Sequence, residues 1–197
     1  MDLKPPSTIQ EYIHVTDNVV EERHLDVFFK ICKERKEFKD GYIMTGKGTG
    51  QIKNTDIRNV KIWHPNSISG SMTEAHWTGF LVGMLKDNLN NYLETMFINN
   101  TRPCINEIQI LKYKIGGHYK FHTDLGPSNA RSISLIFFVN DDYEGGDLCF
   151  KDIKNNQELI IEKQKNRLIV WPSNFMYPHS VKPVTKGTRY SVVSWAV

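Results

Sequence analysis

The chain has 197 residues, 40% hydrophobic and 24% charged, which supplies a packed core and excludes a disordered coil. Its 25 Lys and Arg against 22 Asp and Glu leave a net charge of +3, too mild to demand a nucleic acid or a membrane surface as partner. No run approaches the roughly 18 apolar residues that cross a bilayer. Met1 to Val20 carries Asp2, Lys4, Glu11 and Asp17 where a signal peptide would have an apolar block. Cys32, Cys104 and Cys149 are odd in number, widely spaced and free of any CxxC pair, so a reducing cytoplasm fits better than a disulfide framework or a zinc ribbon.

Taken in chain order, the first elements are helical. Leu25, Phe28, Phe29 and Cys32 recur at i, i+3, i+4 and i+7, which predicts an amphipathic helix over about 20–38. Two short strand-like runs follow, Tyr42 to Met44 and Ile57 to Trp63. Gly46 to Gly50 is glycine-rich but lacks P-loop spacing and reads as a flexible loop. Ser71 and Glu74 match a capping box, and Leu81, Leu85, Leu89, Tyr92 and Met96 continue an apolar stripe to about Phe97. From Glu107 onward the composition turns β-branched and aromatic. Strands are predicted over 107–113, 131–140, 147–151, 158–162, 167–171 and 190–197, separated by Gly, Pro and Asn turns. Helices followed by six or more short strands give an α+β fold, an antiparallel sandwich or barrel with helices on one outer face. The chain reads as a single domain over 1–197. Residues 1–103 would be mainly helical support and substrate-side loops, and 104–197 the catalytic core.

The informative stretch runs from Tyr113 through Gly116-Gly117-His118-Tyr119 to His122-Thr123-Asp124. In a strand, residues two apart share a face, so His122 and Asp124 can reach one ion. His179 is the best candidate for a third ligand. Two imidazoles and one carboxylate form the facial set that holds Fe(II) on one side and leaves positions open. An HxD pair alone is weak, since exposed strands often carry both residues. His118 precedes His122 by four residues, but Gly116-Gly117 opposes a helix and the Glu of HExxH is missing, so it reads as a surface or supporting residue. Arg189 strengthens the case, because it sits in the apolar strand Gly187 to Trp195 and should point inward. A buried guanidinium needs a carboxylate. That carboxylate is either a ligand's or an internal one, with Asp147 and Glu158 as candidates.

This ordered set resembles the prolyl-4-hydroxylase-type branch of the 2-oxoglutarate and Fe(II)-dependent dioxygenases. It runs from Tyr113, His122-x-Asp124 and Arg131 with its strand to Asn140, through Glu144-Gly145-Gly146 and Trp171-Pro172, to His179, Arg189 and Trp195. The resemblance covers about 104–197 strongly and the first half loosely, through Arg58 and Trp63. It implies a double-stranded β-helix, or jelly-roll, with the N-terminal helices packed on the larger sheet. It implies His122, Asp124 and His179 as Fe(II) ligands and Arg189 on the distal carboxylate of 2-oxoglutarate. Tyr113 would hydrogen-bond the cosubstrate, line its pocket, or be a core tyrosine. Collagen-type enzymes usually carry Lys where this chain has Arg189, which makes it look more like bacterial, sensor-type and viral members. Phe138 stands where some relatives have Tyr, and Trp171 and Trp195 read as core.

The implied reaction uses Fe(II), 2-oxoglutarate, O2 and a reductant such as ascorbate. It hydroxylates a C–H bond, most naturally of a prolyl or other amino-acid residue, and releases succinate and CO2. The implied partner is a peptide, protein or amino-acid substrate. A nucleic-acid demethylase is disfavoured by the mild charge and by the lack of a second Arg after Arg189. The alternatives are a zinc-dependent hydrolase, which has no use for Arg189, and a catalytically silent jelly-roll binding protein on the same His/Asp/His site. The loops Gly46 to Asn54 and Pro65 to Met72 are expected to close over substrate as a lid.

Overall fold

A computed structural model describes residues 8–44, 50–65, 71–98, 103–126 and 130–197. A 3-10 turn at Ile9–Tyr12 leads into strand β1 (His14–Asp17) and helix α1 (Glu22–Glu34). Short strands follow: β2 (Lys39–Asp40), β3 (Ile43–Met44), β4 (Gln51–Ile52), β5 (Arg58–Asn59) and β6 (Lys61–Trp63). Helix α2 (Met72–Thr95) precedes β7 (Ile105–Tyr113), β8 (His118–His122), β9 (Ile133–Phe138), β10 (Glu144–Gly145) and β11 (Leu148–Lys151). The chain ends with β12 (Glu158–Ile161), β13 (Arg167–Pro172), β14 (His179–Val181), β15 (Val184–Lys186) and β16 (Arg189–Ala196).

The antiparallel strands form a seven-stranded sheet, β1-β13-β9-β16-β7-β6-β2, and a five-stranded sheet, β12-β11-β14-β8-β5. Two ribbons, β3-β4 and β10-β15, complete the strands. This is the expected double-stranded β-helix. The alternation of strand side chains decides which residues serve which layer. On the outer face of the larger sheet, Ile110, Leu135, Phe137, Leu168, Val170 and Val192 pack against Leu25 and Phe28 of α1 and Leu81, Leu85 and Leu89 of α2. On the inner face, Ile136, Phe138, Ile169 and Trp171 meet Leu148, Phe150 and Ile161 of the smaller sheet. Strand β9 is buried on both faces along its whole length, which explains its nearly unbroken apolar run.

Both helices run as their periodicity requires, with differences at the ends. α1 stops at Glu34 because Arg35 is already extended, at φ −67° and ψ 128°. The freed Phe38 packs its ring against Trp63 and Tyr190. Ser71 caps α2 by accepting the Glu74 N–H at 3.3 Å, and Phe97 ends it in the left-handed region at φ 57°. No helix among the described residues is long and apolar enough to cross a membrane. Residues 46–49 and 66–70 of the expected lid lie outside the described residues. The first half also adds strands to both sheets. β1 pairs with β13, β6 with β7, and β5 with β8.

Candidate metal and cosubstrate site

The site begins with an irregularity in β8. His122 lies opposite His179 and Tyr119 opposite Val181, so three steps on β8 face two on β14. That extra residue is a β-bulge, which breaks the two-residue alternation. In a regular strand Tyr119 and His122 would point to opposite faces. Here their rings stack, 3.5 Å between centroids at 18°.

Ligand atoms of His122, Asp124 and His179 all lie within 4.8 Å of one another. Nε2 of His122 is 3.8 Å from Asp124 Oδ1, and Nε2 of His179 is 3.5 Å from Oδ2. Each imidazole is oriented in the same way. Nδ1 of His122 meets the Lys120 carbonyl at 2.9 Å, and Nδ1 of His179 meets the Tyr177 carbonyl at 3.1 Å. With Nδ1–H donating to a carbonyl, the lone pair sits on Nε2 and faces the carboxylate. Burial and the neighbouring His179 ring push His122 well below its ordinary value and leave it neutral. Burial opposes ionisation of Asp124, but the adjoining His179 and His122 rings and the Ser134 hydrogen bond outweigh it and hold the carboxyl below its usual range. The Ser134 hydroxyl donates to Asp124 Oδ2 at 2.7 Å and lies 2.7 Å from the Ser173 hydroxyl. His179 is wedged between Phe150 and Trp171, with centroids at 5.8 and 5.0 Å. His118 stands apart, its Nδ1 2.9 Å from the Gly116 carbonyl.

Arg189 and Tyr113 are direct neighbours across β16 and β7. The Arg189 side chain is fully buried at 0% exposure. Its Nη1 donates to Ser191 Oγ at 3.0 Å, while Nε and Nη2 have no partner among the described residues. Neither acidic candidate pairs with it, and Glu158 binds Lys182 at 2.7 Å. The guanidinium carbon sits 5.1 and 5.2 Å from the ring centroids of Tyr113 and Phe138. Tyr113 lines the cavity next to the His/Asp/His cluster, and Arg189 lies behind it, outside the lining residues. Burial raises the Tyr113 hydroxyl above its ordinary value, so it remains a neutral donor. Gly146 makes room for Arg189: at φ +65°, a Cβ there would stand 2.9 Å from Val184 Cγ2 and 3.2 Å from Arg189 Cδ.

Several contacts along the cavity wall are not readable from the sequence motifs. Arg131 stacks on Trp195, its guanidinium carbon 3.4 Å from the ring centroid, and reaches Glu107 at 3.3 Å. Gln109 donates to Glu107 at 2.8 Å and accepts from Arg58 at 3.3 Å. Trp171 and Trp195 are buried, as a core reading requires, and both also wall this cavity. The alternation of β7 and β16 would place Gln109 and Trp195 inward, but only the pairing register shows that they share a wall with Asp124.

A jelly-roll in which two imidazoles and a carboxylate converge on one cavity has the ligand set of the non-haem iron oxygenases. Residues 108–197 match the model of the 2OG-Fe(II) oxygenase superfamily. The chain is 27% identical over 191 residues to a PKHD-type hydroxylase of Gloeothece citriformis, covering 93% of this chain and 77% of that one. It is 25% identical over 188 residues to another from Prochlorococcus marinus (strain NATL1A), covering 92% and 76%. In fold it is similar to a Trichoplax adhaerens prolyl hydroxylase in complex with a hypoxia-inducible factor peptide fragment. That TM-score is 0.73 at 19% identity, over 94% of this chain and 83% of that one. A Pseudomonas putida prolyl-4-hydroxylase gives 0.66 at 17%, over 94% and 92%. Residues 108–197 thus match the 2-oxoglutarate/Fe(II) oxygenase superfamily, and the fold of the chain is similar to that of the prolyl hydroxylases. The chain is an oxidoreductase of the dioxygenase class, whose reaction uses Fe(II), 2-oxoglutarate and O2.

Proposed function

We propose that the protein hydroxylates a prolyl residue, or another amino-acid residue, of a peptide or protein. The observation that carries the site assignment is Arg189. Two unpaired donors on a fully buried guanidinium match a ligand carboxylate better than any internal partner. The donor set also suits the metal, with two imidazoles that turn Nε2 toward one carboxylate. When bound, Fe(II) with 2-oxoglutarate and O2 supplies the oxidising chemistry, yielding succinate, CO2 and a hydroxylated C–H bond.

The protein's own residues bind and orient. His122, Asp124 and His179 hold the metal. Ser134 keeps Asp124 ionised and aimed. Arg189 holds the distal carboxylate as a planar fork, and Tyr113 closes that end of the cavity as a neutral hydroxyl donor. At the other end, Trp195 offers an apolar wall, and Arg131 and Gln109 offer N–H groups for a peptide carbonyl. Phe150, Trp171 and Ile136 keep water from the buried side. The PKHD-type and prolyl hydroxylase relatives favour an amino-acid residue as target, and the whole chain would act as one catalytic domain, since the first half contributes strands to both sheets. The buried thiols of Cys32 and Cys149 suit a reducing, cytoplasmic setting.

Succinate formation from 2-oxoglutarate, measured with proline-containing peptides, free amino acids and nucleotides, tests this reading. Peptide-dependent turnover that needs Fe(II) and disappears in His179→Ala is the expected result. Full turnover in His179→Ala would overturn the site, and turnover stimulated by nucleotides alone would overturn the substrate.

A further inference from the structure

The three donor residues are not supported alike. Asp124 is tied to Ser134, and His179 is packed between two aromatic rings at 5% exposure. The His122 side chain is 19% exposed and, among the described residues, has one hydrogen bond, from Nδ1 to the Lys120 carbonyl. One hydrogen bond fixes an edge of an imidazole but leaves the ring free to tilt about it. Its plane is set by stacking instead, on Tyr119 at 3.5 Å, with His179 tilted at 4.3 Å. Tyr119 in turn carries the guanidinium of Arg58, whose carbon lies 4.7 Å from the ring centroid. Arg58 is itself pinned, Nη1 to the Tyr42 carbonyl at 2.8 Å and Nη2 to Gln109 Oε1 at 3.3 Å. The bulge in β8 lets this stack exist, because it turns Tyr119 to the His122 side.

We propose that Arg58 and Tyr119 are positioning residues that hold the His122 ring at the angle its Nε2 needs to ligate the metal. This rests on the reading of His122 as a ligand. It assigns part of the metal affinity to Arg58, a residue outside the stretch matched by the superfamily model. Aromatic stacking needs the Tyr119 ring and not its hydroxyl, and a cation near that ring adds a further attraction. Groups that orient a ligating histidine typically change metal affinity by about 10- to 100-fold when removed.

The test is an anaerobic Co(II) titration of the metal-free full chain, read by the visible d–d bands, with melting curves of the metal-free proteins alongside. Tyr119→Leu should melt close to the parent and weaken Co(II) by about 10- to 100-fold, with an altered d–d spectrum. Tyr119→Phe should stay within about threefold of the parent, since it restores the ring. Arg58→Met should weaken Co(II) by about three- to tenfold. Co(II) affinity of Tyr119→Leu within threefold of the parent, with His122→Ala binding abolished, would overturn the proposal while leaving the metal site standing. An equal loss in Tyr119→Phe would also overturn it, because the hydroxyl would then be responsible. If Tyr119→Leu does not fold, unchanged affinity in Arg58→Met overturns it alone. Parent-like binding by His122→Ala would overturn the ligand reading and this inference with it.

Discussion

Replacing Arg189 with Met should make the ligand-free protein more stable while removing its response to 2-oxoglutarate. The guanidinium is at 0% exposure with Nε and Nη2 unpaired and no carboxylate bound to it among the described residues, so the folded protein carries a buried charge that is only partly compensated. Replacing buried charged groups with apolar side chains of similar volume has stabilised proteins by about 1–4 kcal/mol. The Ser191 hydrogen bond and the two aromatic rings about 5 Å away recover part of the present cost, which places the expected gain near the lower end. For a chain of this length, a gain of about 1 kcal/mol raises Tm by roughly 2–4 °C. The ligand term runs the other way. A saturating cosubstrate at 100 times its Kd stabilises the parent by about 2.7 kcal/mol, and a lost charge-assisted hydrogen bond costs roughly 1.5–3 kcal/mol of that affinity. With both free donors gone, 2-oxoglutarate should give the Arg189→Met protein no measurable shift in Tm. Scanning calorimetry of the metal-loaded proteins, with and without 2-oxoglutarate, reads both effects. A variant that melts well below the parent and still gains the full ligand shift would show that Arg189 is a structural cation.

Three further outcomes are expected. Ser134→Ala removes the 2.7 Å hydrogen bond to Asp124 and should lower metal affinity by about 10-fold or more without unfolding the chain, as measured by chelator competition. Gly146→Ala should destabilise by about 1–3 kcal/mol in chemical denaturation, since it combines a left-handed backbone with a Cβ 2.9 Å from Val184 Cγ2, and it should also weaken 2-oxoglutarate by displacing Arg189. Glu107 is held down to about 2, first by the His64 hydrogen bond and then by Gln109 and the Arg131 charge. Its contribution is therefore complete above the unfolded value of 4.5 and disappears as pH falls towards 2. Glu107→Gln should flatten that acid limb of the urea-midpoint profile, and an unchanged limb would place the acid sensitivity elsewhere.

The HxD pair was legible because its chemistry sits within three residues, and the helices because a buried stripe repeats at helical spacing. β1 was not: His14-Val-Thr-Asp17 is short and polar, and it is a strand only because β13 lies beside it in space. β14 is three residues long, below any periodicity signal, although it carries His179. The bulge at 119–122 has no glycine to announce it and exists only as a mismatch between two strands. Trp195 looked like core because it is apolar and within a strand; its place on the cavity wall follows from its register with Glu107 and Ser134. The support of Asp124 by Ser134 and Ser173 joins three separate segments and has no local spacing to betray it.

His122 and His179 form a directly opposed pair across β8 and β14. A slip of β14 by one residue would turn Ser180 inward and His179 to the far side, since side chains alternate along a strand. The smaller sheet can therefore hold an ion in only one alignment. Short, weakly patterned strands are prone to pair out of step during folding, and here a misaligned sheet would also be unable to capture metal. Metal affinity is therefore a direct report on the register of β8 against β14, since only this alignment sets the two imidazoles opposite each other.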